Sequence, residues 1–230
     1  MNEIDQDITK CLIIHGFGGG IHEVKPLADY LNQRGYETVC PLLKGHSATR
    51  SAMKKATYKE WIDSAEQELL KLEQTGGHIV LVGFSMGGLI AAHLASEHPV
   101  LAMVTINTPV FYWNIHRVFL NLMEDVKTKK HSNILRYLKA GANSPVRAML
   151  QFLLLLRHGK KKFGSVLCPV LIIQAEDDDT VRRRSVDYMD RHIASDKKTI
   201  RYVHEGGHLI LLSNGADQVM ACVDEFIRSQ

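Results

Sequence analysis

The chain has 230 residues, 45% hydrophobic and 23% charged, which fits one large globular domain or one carrying an insertion and argues against a disordered chain. Its formal charge of +3 is spread over scattered clusters such as Lys127 to Lys130 and Arg157 to Lys162. Nucleic-acid binders instead gather such charge on one element, so no nucleic-acid partner is expected. The longest run of large apolar side chains, Phe152 to Leu156, falls far short of the roughly 20 residues that span a bilayer, so no membrane span is expected.

Met1 to Lys10 is polar and acidic, with neither a basic nor an apolar region, so no secretory signal is expected there. Cys11-Leu-Ile-Ile14 predicts a strand that runs into His15-Gly-Phe-Gly-Gly-Gly20. Val24 to Arg34 has helical apolar spacing and ends at Gly35; Tyr36 to Cys40 predicts a short strand before Pro41. Tyr58 to Leu72 is again helical, with Trp61, Ile62, Ala65, Leu69 and Leu72 on one face. His78 to Gly83 is continuously apolar, which suits a strand buried on both faces, and Ser85 opens a helix reaching about Glu97. Leu101 to Ile106, Val170 to Ile173 and Thr199 to Val203 repeat the strand signature. Ser185 to Ile193 and Leu209 to Ile227 read as helices. Alternation of this kind builds a mainly parallel α/β sheet with helices on both faces.

One stretch breaks that rhythm. Between Asn107 and Pro169 lie about 60 residues without a strand signal, far beyond the 2–6 residues usual for such a loop. Val118 to Val126, Ile134 to Leu138 and Val146 to Leu156 read as helices there, separated by Gly141 and Pro145. Residues 110–165 are therefore expected to form a helical cap, inserted in a core made of residues 1–109 and 166–230. Leu150 to Leu156 reads as a contact between cap and core. The four cysteines, Cys11, Cys40, Cys168 and Cys222, match no metal spacing and read as reduced residues of a cytoplasmic protein.

Gly83-Phe84-Ser85-Met86-Gly87 fits G-x-S-x-G directly after a buried strand and directly before a helix. Such an elbow lifts a serine hydroxyl above the sheet edge, and small neighbours avoid collision in the tight turn. The Met86 amide opens the helix, where free N–H groups and the dipole favour a developing oxyanion. A serine nucleophile needs a histidine base, itself oriented by a carboxylate, with both following the serine in the chain. Position selects His208, just after the last predicted strand. For the acid, Glu176, Asp177, Asp178 and Asp179 all stand after the strand Val170 to Ile173, and like charges cannot all share one pocket. The remainder are expected to be solvated, or turn and capping residues. Arg182 to Arg184 follow that loop; three cations at a helix start are electrostatically unusual and read as surface residues.

His15-Gly-Phe-Gly-Gly, Gly83-Phe-Ser-Met-Gly-Gly, Asp178-Asp-Thr-Val and Gly206-Gly-His208 together resemble the α/β-hydrolase superfamily, in the same order from about Thr9 to Gln230. Within it, the chain is most similar to small bacterial carboxylesterases related to monoacylglycerol lipases, sharing Lys44-Gly45-His46 and a modest helical cap. The resemblance implies a D-x-x-V acid at Asp178, a second oxyanion donor at the Phe17 amide, and a structural rather than basic His15. It departs from the family at Ser47, where relatives often carry glycine, and in the strands usual before the oxyanion loop, so a reduced sheet of about six or seven strands is expected. The implied activity is that of a serine carboxylesterase acting on small-molecule acyl esters through Ser85, His208 and Asp178, without metal or organic cofactor. Thioesterase, lactonase or acyltransferase chemistry would use the same residues, and oligomeric state is not encoded in these motifs.

Overall fold

The computed structural model describes residues 8–46, 50–111 and 146–230. Six strands form one sheet in the order β2-β1-β3-β4-β5-β6, and every pairing is parallel. They are β1 (Thr9–Ile14), β2 (Glu37–Val39), β3 (His78–Phe84), β4 (Ala102–Ile106), β5 (Val170–Ala175) and β6 (Lys198–Val203). The helices are α1 (Ile21–Asn32), α2 (Arg50–Lys55), α3 (Tyr58–Gln74), α4 (Met86–Glu97), α5 (Val146–Lys162), α6 (Arg184–His192) and α7 (Ala216–Arg228).

Successive strand residues point to opposite faces, and the chain fills both. Leu12, Ile14, Leu81, Met103, Val170 and Ile172 face a core completed by α3, α4, α5 and α6. Cys11, Ile13, Val80, Val82, Val104, Leu171 and Ile173 face a second core closed by α1 and α7. Burial on both faces explains why the central strands are continuously apolar. Short β2, with no fully buried residue, is one edge of the sheet, and β6 is the other.

Helix starts follow local chemistry. Thr57 and Glu60 form a reciprocal capping box that opens α3. The helix expected over Leu209 to Ile227 is in fact two pieces, a 3₁₀ turn at Ile210–Leu212 and then α7. Ser213 adopts an extended backbone (φ −123°, ψ −177°), and its hydroxyl accepts the Gly215 amide, which halts the first turn. Helix α2 carries no apolar period and is not anticipated from the sequence.

The chain runs outward from β1 to β2, then crosses back to β3 on the far side of β1. Loops leaving the carboxyl ends of β1 and β3 thereby diverge, which opens a crevice at this switch point. Of the predicted cap, α5 and the 3₁₀ turn Phe163–Ser165 are described. The helices expected at Val118 to Val126 and Ile134 to Leu138, with Gly141 and Pro145, lie outside the described residues. Helix α5 runs on to Lys162, longer than its apolar run, and packs against α4. Phe152, Leu155 and Leu156 are buried there, whereas Leu150 and Leu154 are exposed.

Candidate active site

Ser85 sits between β3 and α4 with φ 51° and ψ −119°, a conformation L-residues rarely hold. Such strain costs on the order of 1–3 kcal/mol and persists only where the surroundings impose it. They do: the Ser85 amide donates to Ile106 O at 2.8 Å, and the turn is tightly packed. A Cβ on Gly83 would stand 2.3 Å from the Gly88 amide nitrogen, and one on Gly87 would stand 2.1 Å from Ile14 O. The glycines flanking Ser85 are therefore required by close backbone approach, as the motif leads one to expect.

Three later loops meet this turn. Ser85 Oγ lies 2.9 Å from His208 Nε2, and His208 Nδ1 lies 2.9 Å from Asp178 Oδ2. Because a carboxylate only accepts, Nδ1 carries the proton and Nε2 is free to accept the serine hydroxyl. Asp178 is fully enclosed, and four donors converge on it. The Thr180 and Val181 amides reach Oδ1 at 2.8 and 2.9 Å, and Gln174 Nε2 reaches Oδ2 at 3.2 Å beside His208. The D-x-x-V spacing has a physical basis here, since Asp178 caps its own turn through the Val181 amide.

The neighbouring carboxylates are partnered as well, although by sequence they pass for solvated or local turn residues. Asp177 accepts the Gly207 amide at 2.8 Å and the Gly206 amide at 3.2 Å, so it caps the loop carrying His208 rather than its own turn. Glu176 pairs with His204 at the base of that loop. Asp179 accepts the Thr180 hydroxyl at 2.9 Å.

Asn107, one residue past β4, escapes sequence reasoning altogether. It is fully buried with φ 48°, a left-handed conformation asparagine tolerates. Its Nδ2 donates to Gly207 O and His208 O, both at 3.0 Å, while its Oδ1 accepts the Ala175 amide at 2.8 Å. One amide side chain thus ties the end of β5 to the histidine loop. The one sequence signal is a polar residue ending a continuously apolar strand.

The two residues expected as oxyanion donors stand in different elements. The Met86 amide belongs to the first turn of α4, immediately after Ser85. Phe17 lies in the loop after β1, its ring stacked on Phe152 of α5 at 5.1 Å and tilted against Trp61 at 5.7 Å. His15 is buried; its Nδ1 donates to Gly16 O at 2.9 Å, and its Nε2 accepts the Leu43 amide at 3.4 Å. With both ring nitrogens engaged by backbone, and its pKa lowered to about 4 by burial, His15 holds the loop as a neutral side chain. His46, edge-on to it at 5.0 Å, is also lowered to about 4, first by burial and then by His15.

The four cysteines are free, and burial pushes the Cys11 thiol up to about 12 and those of Cys40 and Cys168 to about 11. Among the described residues, no group of three or more His, Cys, Asp or Glu side chains is placed to hold a metal ion. Arg183 stacks over Tyr202 at 4.4 Å and Arg184 over Phe111 at 4.2 Å, which gives two of the three clustered arginines an aromatic partner.

A parallel sheet with helices on both faces, and a strained serine between β3 and α4, give the architecture of the α/β-hydrolase fold. Comparison with known proteins agrees. The model of the alpha/beta hydrolase fold family matches residues 12–122. A thermostable monoacylglycerol lipase of Bacillus sp. (strain H-257) is 28% identical over 212 residues, covering 87% of this chain and 83% of that one. A carboxylesterase of Bacillus subtilis (strain 168) is 22% identical over 223 residues, covering 94% and 91%. One of two metagenome-derived lipolytic enzymes shares the fold with a TM-score of 0.82 at 20% identity, covering 98% of this chain and 95% of its own. The chain has the α/β-hydrolase fold and is similar to these esterases and lipases. Among its described residues no helix is long and apolar enough to cross a membrane.

Proposed function

We propose that the protein is a serine carboxylic-ester hydrolase that works through an acyl-enzyme. The observation that carries this reading is the continuous hydrogen-bonded chain from Ser85 Oγ through His208 to enclosed Asp178, each link 2.9 Å. Ser85 Oγ attacks the ester carbonyl while its proton passes to His208 Nε2, and Asp178 stabilises the imidazolium without taking the proton. The Phe17 and Met86 amides hold the oxyanion. Collapse expels the alcohol, protonated by His208; water, deprotonated by the same histidine, then releases the acid and restores Ser85.

The substrate proposed is a soluble ester of a short or medium acyl chain. Apolar α5 side chains beside Phe17 would shelter that chain, each buried methylene adding roughly 0.8 kcal/mol until the site ends. Activity on p-nitrophenyl esters should therefore peak at about C4 to C10 and then fall. A monoacylglycerol lipase is the second reading, favoured by the relative that is 28% identical over most of both chains. A rise through long-chain emulsions, with little activity on soluble esters, would favour it instead. A cytoplasmic setting fits the four unpaired cysteines.

A fluorophosphonate probe tests the reading directly. A stoichiometric adduct on Ser85 supports it, whereas folded protein that forms none is a non-catalytic homologue. Ser85→Ala should lower kcat by a factor on the order of 10⁶. A panel of esters, thioesters and lactones then separates ester hydrolysis from the other chemistries open to the same residues.

A further inference from the structure

Glu23 is a buried carboxylate that this chemistry leaves without a task. It lies in the first turn of α1 and is 9% exposed. A glutamate three residues into a helix ordinarily reaches back to the amide that caps it. Glu23 feels that pull from the Gly20 amide and also reaches further, its Oε2 accepting the Gly16 amide at 3.1 Å. The carboxyl group also lies directly against Gly19, where a Cβ would stand 2.0 Å from Glu23 Oε2. Loop and carboxyl group are thus fitted to one another. Burial pushes the Glu23 carboxyl above its ordinary value, against the opposing pull of the Gly16 amide, His22, His208 and the Gly20 amide.

Two side chains consequently grip two consecutive peptide planes. Glu23 holds the plane joining His15 to Gly16 by its N–H, and His15 holds the plane joining Gly16 to Phe17 by its carbonyl. In a trans peptide the N–H points opposite to the C=O, so fixing Gly16 O also fixes the direction of the Phe17 N–H. We propose that Glu23 is a positioning residue of the oxyanion loop, anchoring the Gly16 amide so that the Phe17 N–H is aimed at the ester oxygen held at Ser85. The inference rests on the ester-hydrolase reading and gives Glu23 no contact with substrate. What it needs is an acceptor oxygen at this reach, not a charge. Glutamine supplies one, aspartate is a methylene too short, and alanine has none.

Oxyanion donors act on a charge that exists only after attack, so misdirecting one lowers kcat and leaves KM largely alone. Wild type, Glu23→Gln, Glu23→Asp and Glu23→Ala should be compared on p-nitrophenyl butyrate, with fluorophosphonate titration of Ser85 and thermal melting alongside. Losing a whole donor costs about 10²–10³ in kcat, so an ill-aimed one should cost about 10–100-fold in Glu23→Ala and Glu23→Asp, with KM within about twofold. Glu23→Gln should recover kcat to within about threefold. Equal kcat in all four proteins overturns the proposal, as does a glutamine variant no better than alanine, or a change confined to KM. If Glu23→Ala does not fold, the contrast between glutamine and aspartate decides. Wild type that neither labels nor turns over ester overturns the ester-hydrolase reading together with this one; a labelled, active wild type with indifferent Glu23 variants overturns this one alone.

Discussion

The two walls of the crevice are held by different forces. On the side of β4, β5 and β6, directional bonds do the work: Asn107, Asp177 and Asp178 join one loop to the next through amide and imidazole contacts of 2.8 to 3.2 Å. Across the crevice, the loop after β1 is held by ring packing against Phe152 and Trp61, by the neutral imidazole of His15 and by the Glu23 carboxyl group. Hydrogen bonds fix angles as well as distances, while apolar contacts tolerate sliding. The bonded wall is thereby built for fixed geometry. On the opposite wall the ring-packed face of α5, unlike the hydrogen-bonded backbone of the loop after β1, is built for adjustment to what enters.

If that contrast holds, the largest losses should come from the bonded wall. Asp178→Asn should lower kcat by roughly 10⁴, because the amide side chain favours the wrong imidazole tautomer and leaves the imidazolium without its counter-charge. Asp177→Asn keeps an acceptor for the glycine amides and should cost far less in a steady-state assay. The reverse ranking would shift the acid by one residue.

Asn107→Ala is next. It strands the Ala175 amide and two carbonyls of the histidine loop, and places alanine at positive φ. A displacement of about 1 Å at His208 would cost about 10² in kcat, with a stability loss of about 2–4 kcal/mol readable by denaturant melting. Unchanged kcat in folded Asn107→Ala would show that the histidine loop needs no such tie.

Phe152→Ala probes the packed wall. It should destabilise the fold by about 3–5 kcal/mol yet lower kcat/KM only severalfold on short esters, with the optimum moving to longer chains as space opens beside Phe17. A loss as large as that of Asn107→Ala would dissolve the distinction between the walls.

The smallest effect is a pH dependence, and it also resides in the packed wall. His15 and His46 have folded pKa values lowered to about 4 from 6.5, so the unfolded chain binds protons that the folded one refuses. Their stabilising contribution is complete above pH 6.5 and is lost as pH falls toward 4. Between about pH 7 and 5 each can remove up to about 2 kcal/mol, seen as a Tm lower by several degrees. His46→Gln should flatten that slope; an unchanged slope would assign it elsewhere.

Element order and the elbow were legible because both leave local traces. Apolar runs mark strands buried on two faces, and the glycines around Ser85 are imposed by backbone approach within a few residues. Choosing Asp178 from an acidic run took the family resemblance, since its enclosure depends on Gln174 and on His208, far onward in the chain. Asn107 was opaque for the same reason: a bond between loops distant in sequence has no period and no composition. Glu23, whose partner Gly16 is seven residues away, looks in sequence like any first-turn helix acid. The break at Ser213 was hidden because a hydroxyl competing with the helix looks, in sequence, like any polar residue on a helical face.

The left-handed backbone at Ser85 has a consequence for the lineage of such a protein. The folded state carries that distortion whether or not substrate is present, so the chemistry and the durability of the fold draw on the same turn. A descendant released from catalysis could replace Ser85 with glycine, relax the turn and melt at a higher temperature than its active ancestor. Retention of serine at this one position therefore signals continued use more strongly than any amount of preserved core.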